Sequence, residues 1–190
     1  MKETKTSQLI DKVLGSFQVF LTLSYLFAIG IGMLFNYYKY NYFGINIFDY
    51  ASVFDFLIAP FADFRILSFT LLTLIVTYLL FAFDNYWQKR GPASYARFSF
   101  NLVRFKWYQN VKWSFFLIIF ISYLILVAQG YGKLTHNEVS NQKNIAVHYI
   151  EGQSELGQLI GKTSDMLFLN QKTGVIAIPI SSMVKSIQIK

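Results

Sequence analysis

Apolar residues fall into three long runs along the chain, and polar or mixed segments separate them. The runs cover residues 14–35, 66–83 and 114–129. A helix needs ~20 residues to cross the hydrocarbon core of a bilayer, and it satisfies its backbone hydrogen bonds internally. The pattern therefore predicts three transmembrane helices within a membrane domain of residues 1–132. The first run is longer than the roughly 7–15 residue core of a signal peptide, so we expect it to be a retained anchor.

After Gly132 the long apolar runs give way to short stretches in which apolar and polar residues alternate. Alternation predicts β-strands, and the run Asn170–Gly174 has the composition of a hairpin loop. We therefore expect four or five short strands in a small β-domain of residues 133–190, and an Sm-like or SH3-like barrel is one arrangement of them. A domain of this size is marginally stable alone, so we expect it to pack on the membrane domain, on itself or on a partner.

The composition also indicates a membrane protein. The chain is 54% hydrophobic and only 14% charged, whereas a soluble domain is about 25% charged. So few charges cannot cover a water-exposed surface, which argues against an ordinary soluble enzyme, and so much hydrophobicity argues against disorder. The chain contains no Cys, which excludes disulfides, thiolate metal sites and Cys nucleophiles.

The charges of the polar segments predict the orientation of the helices. The chain carries a net charge of +7, and the loop of residues 84–113 supplies +5 of it, from six basic residues less Asp84. Basic loops stay in the cytoplasm, so we expect this loop and the N-terminus inside and the C-terminal domain outside, in a bacterial inner membrane. A basic amphipathic segment rich in aromatics suits anionic lipid headgroups better than nucleic acid. Its candidate headgroup contacts are Lys89, Arg90, Arg97, Arg104, Lys106 and Lys112.

Residues 46–59 have the pattern of an apolar helix with a narrow acidic stripe. In this prediction Asn46 caps the helix, Pro60 ends it, and Asp49 and Asp55 lie on its wet side. A carboxylate in mid-bilayer costs roughly 2.5–3.5 kcal/mol, so we expect an interfacial helix rather than a fourth span. The alternative is that these acids bind a cation or a proton at the membrane face.

Two sets of small or polar side chains recur at helical spacing in the predicted spans. The first forms a seam that lets helices approach closely, within or between chains: Ser24, Ala28 and Gly32. The second shares one face of the second span: Thr70, Thr73 and Thr77. These hydroxyls either line a polar cavity or bond back to carbonyls of their own helix.

The sequence offers few groups that perform chemistry. It has no catalytic motif, and its two His, His136 and His148, are too few for a metal site. We therefore expect no enzymatic activity, no cofactor and no metal. The predicted function is that of an integral membrane subunit or sensor that docks a protein partner, or a second copy, through its C-terminal β-domain. The alternative is a self-associating pore or depolarising effector, with the Thr face as its lining.

The predicted arrangement of three spans and a small β-domain resembles two groups of known proteins. The runs Tyr42–Ile45, Ile160–Ser164 and Ile178–Pro179 resemble patterns in uncharacterised small bacterial multi-span membrane proteins. These runs imply an arrangement of elements but no activity. That arrangement is similar to the one in the membrane subunits of bacterial anti-phage systems, and this resemblance implies a role in conflict or defence.

Three spans before a β-domain also resemble the small-conductance mechanosensitive channels, whose third span leads into an Sm-like barrel. The third span of that family is rich in Gly and Ala, whereas the third run here has one Ala and no Gly, so we expect no channel function from this resemblance. The residues that follow the Sm-like strand pattern are Gly157, Leu159, Gly161, Met166, Leu167, Leu169, Ile178, Val184, Ile187 and Ile189.

Overall fold

A computed structural model describes residues 2–105, 107–150 and 152–188 of the chain. Its membrane part contains three long helices, α1 (Lys2–Asn41), α3 (Phe64–Arg90) and α5 (Tyr108–Ser140). The segments Gly15–Asn41, Phe64–Arg90 and Val111–Ser140 are long and apolar enough to cross a membrane. The prediction of three helices long and apolar enough to span a membrane is therefore confirmed, which is consistent with a multi-pass membrane protein.

The three long helices pack around a small apolar core. The helix α5 contacts both α1 and α3, and the core residues are Ile31, Phe35, Ile66, Leu124, Ala128 and Tyr131. Most other side chains in the apolar segments of these helices face outward in the isolated chain. Outward-facing apolar residues suit a lipid solvent, because lipid removes the cost of exposing them to water.

The segment between α1 and α3 differs from the predicted helix of residues 46–59. It forms one turn of 3-10 helix, Ile47–Asp49, and then helix α2 (Val53–Ala62). Ser52 begins α2 rather than Asn46, because its hydroxyl accepts a hydrogen bond from the Asp55 amide while the Asp55 carboxylate accepts one from the Ser52 amide. This reciprocal capping box satisfies two amides at the start of the helix.

Pro60 lies inside α2 rather than ending it. A proline has no N–H, so the carbonyl of Phe56 loses its α-helical donor. That carbonyl lies against Gly32 of α1, where a Cβ atom would overlap it. The close approach of α1 and α2 therefore depends on a glycine in one helix and is made where a proline interrupts the hydrogen bonding of the other.

The third long helix continues to Ser140, past the predicted end of its span at Gln129 and past the predicted domain boundary at Gly132. The strands follow it: β1 (Ile145–Tyr149), β2 (Ser154–Lys162), β3 (Met166–Gln171), β4 (Gly174–Pro179) and β5 (Val184–Gln188). The single-turn helix α6 (Ile180–Met183) links β4 to β5. The sheet therefore begins directly after a rigid helical extension of the bundle.

All neighbouring strands are antiparallel, and their order in the sheet is β4-β3-β2-β1-β5. The strand β2 pairs with β1 through its first half and with β3 through its second, and an irregularity between Leu159 and Gly161 bends it. The sheet is not closed into a barrel, so the expected Sm-like or SH3-like closure is absent from the described strands. The helix α6 turns the chain after Pro179, and β5 pairs with β1 instead of β4.

The sheet has two apolar faces with different partners. One side forms a core of its own from Ile145, Val147, Leu167, Leu169 and Ile178. Its other side shares a core with the membrane part, made by Tyr40, Ile47, Phe56, Val139, Ile160 and Phe168. Because α1, α2, α5 and the sheet all contribute to this second core, shared buried apolar side chains hold the sheet on the helices in addition to the chain connection from α5.

Candidate functional site

A cleft of about 780 Å³ lies where the helical bundle meets the sheet. One side is formed by the end of α1, by α2, by the start of α3 and by Tyr131 of α5. The opposite side is formed by the β2–β3 turn, residues 162–164, and by Ile180 of α6. Five charged side chains line it: Lys39, Asp55, Asp63, Arg65 and Lys162. Among the described residues, we find no group of His, Asp and Glu side chains that could hold a metal ion, either in this cleft or elsewhere.

Asp63 and Arg65 form the most heavily bonded part of the cleft wall. The Arg65 guanidinium donates to both carboxylate oxygens of Asp63, at 3.1 and 3.0 Å, and to Glu138 at 2.6 Å. The Tyr131 hydroxyl donates to Asp63 at 2.8 Å. Burial raises the pKa of the Asp63 carboxyl, but the hydrogen bonds from Arg65 and Tyr131 outweigh it and hold that pKa below its ordinary value. Asp63 is therefore ionised and its acceptors are occupied.

Asp55 links the two sides of the cleft. One carboxylate oxygen accepts from the Ser164 amide at 2.9 Å, and the other accepts from the Ser164 hydroxyl at 3.1 Å. The second oxygen also accepts from the amide and hydroxyl of Ser52, at 2.8 and 2.9 Å. Burial raises the pKa of Asp55, and the bonds from Ser52 and Ser164 overcome that effect and lower it. The predicted acidic stripe is thus divided, because Asp49 is exposed while Asp55 caps α2 and holds the sheet.

Lys39 and Lys162 complete the charged lining of the cleft. The Lys39 ammonium lies 5.0 Å from the centroid of the Tyr40 ring. It also lies close to Gly161, where a Cβ atom would come within 2.9 Å of its nitrogen. Within the described residues, the ammonium groups of Lys39 and Lys162 form no ion pair and no hydrogen bond.

A second polar cluster lies at the opposite end of the bundle and contains Lys112. Its ammonium is buried, forms an ion pair with Asp84, and donates to Asn85 at 2.8 Å and to Gln88 at 3.0 Å. The buried Tyr95 hydroxyl bonds to the same Asp84 and to Tyr108. Lys112 is therefore not free for lipid headgroups, because α3 supplies its ion-pair and hydrogen-bond partners.

The other basic residues of the predicted headgroup contact are exposed where the structure describes them. They are Lys89, Arg90, Arg97 and Arg104, while Lys106 lies outside the described residues. The loop that carries them is a short helix, α4 (Pro92–Phe98), and one 3-10 turn, Leu102–Arg104. Phe100 and Asn101 adopt positive φ angles of 51° and 61°, which interrupts a continuous amphipathic helix. Binding of anionic headgroups by these side chains stays a prediction.

The small-residue seam of α1 is used only at its C-terminal end. Gly32 is buried against Phe56 of α2, Ala28 is half-buried and Ser24 is exposed. Gly32, the buried residue of the seam, therefore packs against α2.

The Thr side chains of α3 bond to their own helix. The hydroxyls of Thr70, Thr73 and Thr77 donate to the carbonyls four residues earlier, at 2.8, 2.8 and 2.9 Å. Thr70 and Thr73 are also buried. This arrangement follows the back-bonding alternative and leaves these hydroxyl protons unavailable for a polar lining.

The charged cleft was not predicted from the sequence, because its lining comes from segments more than a hundred residues apart. Two signals were present locally: the Ser52 and Asp55 pair has capping-box spacing, and Asp63 and Arg65 flank the start of an apolar run. Comparison with known proteins gives no match to a family model, to a curated protein or to a solved structure.

Proposed function

We propose that this chain is a non-enzymatic membrane subunit or sensor that docks a protein partner through its C-terminal sheet. The observation that carries this proposal is the free edge of the sheet at β5. An exposed edge strand offers unpaired backbone groups to an extended segment of another protein.

The two edges of the sheet differ in how they are covered. On β4, Val175 and Ala177 pack against the core shared with the bundle. Among the described strands β5 pairs with β1 alone, as β4 pairs with β3 alone, but residues Lys185–Gln188 are exposed whereas most of β4 is half-buried or buried. The edge at β5 is therefore the more exposed of the two, and we propose it as the edge that a partner reaches.

The side chains near β5 favour a partner segment that is apolar and acidic. Ile187 lies opposite Val147 in the register but is 41% exposed, because β5 is the edge of the described sheet. Met183 and Ile150 are exposed at the start of β5, and Lys185 is the basic residue of the strand. Alternate apolar side chains of an added strand would cover Ile187, and an acid in that strand would pair with Lys185.

The contacts between the sheet and the helices support a role in which the binding of a partner at the sheet is transmitted to the helical bundle. The shared core and the Asp55–Ser164 hydrogen bonds couple the sheet to α1 and α2. We further propose that the N-terminus and the basic loop face the cytoplasm, that the sheet lies outside, and that the membrane is a bacterial inner membrane. The excess of basic residues in the loop of residues 84–113 supports this orientation.

The test places a photo-crosslinking residue at Ser186 of the full chain in its native membrane. The matched control position is Lys172, which is exposed in the turn between β3 and β4. We expect a heterologous adduct from position 186 and none from position 172. The cross-linked partner peptide is then synthesised and titrated against the purified full chain, and Ile187→Lys should weaken its binding at least about tenfold, since an inward charge blocks strand addition.

Removal of the sheet is a poor test because the sheet is part of the fold. Truncation after Gly132 would cut α5 and uncover Tyr40 and Phe56 of the shared core. The proposal is overturned if both crosslinking positions give the same adducts, or if Ile187→Lys binds the peptide as the wild type does. An adduct with a second copy of the chain would replace partner docking with self-association.

A further inference from the structure

We propose that the cleft between the bundle and the sheet binds a phosphate group of an anionic ligand, with Lys39 and Lys162 as its cationic contacts. This site is separate from the β5 edge and does not depend on docking there. The cleft combines free positive charge, apolar wall and room for a headgroup-sized ligand.

The charge distribution in the cleft leaves two cations without counter-ions. Asp63 accepts from Arg65 and Tyr131, and Asp55 accepts from Ser52 and Ser164. Arg65 in turn donates to Asp63 and Glu138. Of the charged side chains that the structure describes here, only Lys39 and Lys162 form neither an ion pair nor a side-chain hydrogen bond, and the Lys39 ammonium contacts the face of the Tyr40 ring.

An anion would remove the cost of holding Lys39 at this place. Lys39 is partly buried between Tyr40 and Gly161, and an ammonium removed from water without a counter-ion is destabilising. A phosphate group presents several oxygens and can accept from two ammonium groups at once. The carboxylates of Asp55 and Asp63 would repel an anion, but three cations face these two acids in the lining, so its charge sums to +1 and favours an anion.

Part of the remaining wall of the cleft is apolar and continues onto an exposed apolar face. Ile47, Ala59, Ile66 and Ile180 line the interior. Ile58 lines the cleft and is 56% exposed, and on the same helix Phe54 and Phe61 are 67% and 71% exposed. A ligand with a phosphate and an apolar part fits this surface, as in a phospholipid headgroup with chains along α2 or a soluble phosphate ester.

The experiment measures phosphatidylglycerol bound to the purified full chain by native mass spectrometry during a lipid titration. We expect Lys39→Met and Lys162→Met each to raise the apparent dissociation constant about tenfold, because each removes one charge-assisted contact. The control is Lys133→Met, which removes an exposed cation of α5 at the same end of the bundle but outside the cleft lining. This control should bind as the wild type does.

A second arm separates lipid from soluble sources of the phosphate. Glycerol 3-phosphate and inorganic phosphate are added as competitors, and their binding is followed by phosphorus NMR. Binding of phosphatidylglycerol without competition identifies a lipid, whereas competition that is lost in Lys162→Met identifies a soluble phosphate ester as an occupant of the same site.

The Lys162→Met variant keeps the test valid if Lys39→Met alters the fold, since the Lys162 side chain is exposed at the rim. The proposal is overturned if both cleft variants bind lipid and phosphate with wild-type affinity. It is also overturned if Lys133→Met weakens binding as much as they do, because binding would then follow overall charge.

Discussion

The hydrogen bonds between Asp55 and Ser164 give the sharpest prediction about how the sheet is held on the membrane part. They join residues that are 109 positions apart in sequence. Ser164→Ala removes the hydroxyl bond and leaves the amide bond. Asp55→Asn keeps one oxygen acceptor but replaces the other with an NH2 group, which cannot accept the hydrogen bonds that Ser52 or Ser164 donates at that position. The two variants therefore remove different shares of one contact.

The magnitudes follow from the exposure of the two residues. A hydrogen bond to a charged group contributes about 1.5–3 kcal/mol when buried, and solvent competition at the exposed Ser164 reduces this to about 1 kcal/mol. Asp55→Asn should cost about 2–3 kcal/mol, of which the loss of the α2 cap accounts for about 1 kcal/mol. The double variant should show a coupling of about 0.5–1 kcal/mol between the two sites.

Hydrogen exchange measured by mass spectrometry is the suitable assay. The three Trp, Trp87, Trp107 and Trp113, all lie at the far end of the bundle, so intrinsic fluorescence does not report on the sheet. Ser164→Ala should accelerate exchange of the β2 and β3 amides about fivefold, which corresponds to about 1 kcal/mol in the local opening equilibrium. Exchange in the part of α3 near Asp84 should be unchanged.

Two control variants decide whether the contact acts as described. Asp165→Ala changes an exposed neighbour of Ser164 and should leave exchange at the wild-type rate. Ser52→Ala removes the cap without touching Ser164. If Ser164→Ala does not exceed Asp165→Ala, the contact does not hold the sheet, and if Asp55→Asn equals Ser52→Ala, Asp55 acts only as a cap.

Three further predictions concern packing, buried charge and pH. Gly32→Ala should lower stability by about 1–3 kcal/mol in a thermal scan, because its Cβ overlaps the Phe56 carbonyl, whereas Gly30→Ala, with open space around it, should be neutral or stabilising. Lys112→Met should destabilise the fold by about 3 kcal/mol, because it leaves the partly buried Asp84 carboxylate without its cation. The control Arg97→Met, at an exposed site, should change the melting temperature little, and equal effects of the two variants would contradict the buried ion pair. The pKa of Asp55 is lower in the folded chain than its ordinary 3.8, so its contribution to stability is present above that value and is lost as the pH falls through the folded pKa. Hydrogen exchange in β2 and β3, corrected for intrinsic rates, should therefore be constant from about pH 5 to 8 and should rise below about pH 4.

The elements that the sequence predicts well are those with strong local patterns. The three spans follow from apolar length, and the strands follow from alternation after the third helix. The end of α5 was misplaced because Gly130 and Gly132 look like a helix stop, whereas both lie inside the helix. Gly132 is buried with the Tyr38 carbonyl beside it, so a packing requirement explains this glycine rather than a turn.

The cleft could not be predicted because its chemistry depends on contacts between distant segments. Lys39 follows the first predicted span and Lys162 lies in the predicted β-domain, and only the fold brings both to one cavity. Lys112 illustrates the opposite error, since a basic residue in a basic loop predicts solvent or headgroup exposure. Its burial depends on three side chains of α3 that lie more than twenty residues earlier.

The strand order has a consequence for how the domain forms as the chain is made. The strands β2, β3 and β4 each pair with the strand just before or after them, so their ladders can form as soon as each turn has been synthesised. The far side of β1 waits for β5, which leaves the ribosome after the other described strands. During that interval β1 is an open edge of the sheet, and Val147 lacks its cross-strand neighbour Ile187. A chaperone or a neighbouring chain therefore has its best opportunity at β1 before β5 emerges, and a bulky fusion placed directly after β5 would act on the step that adds this strand.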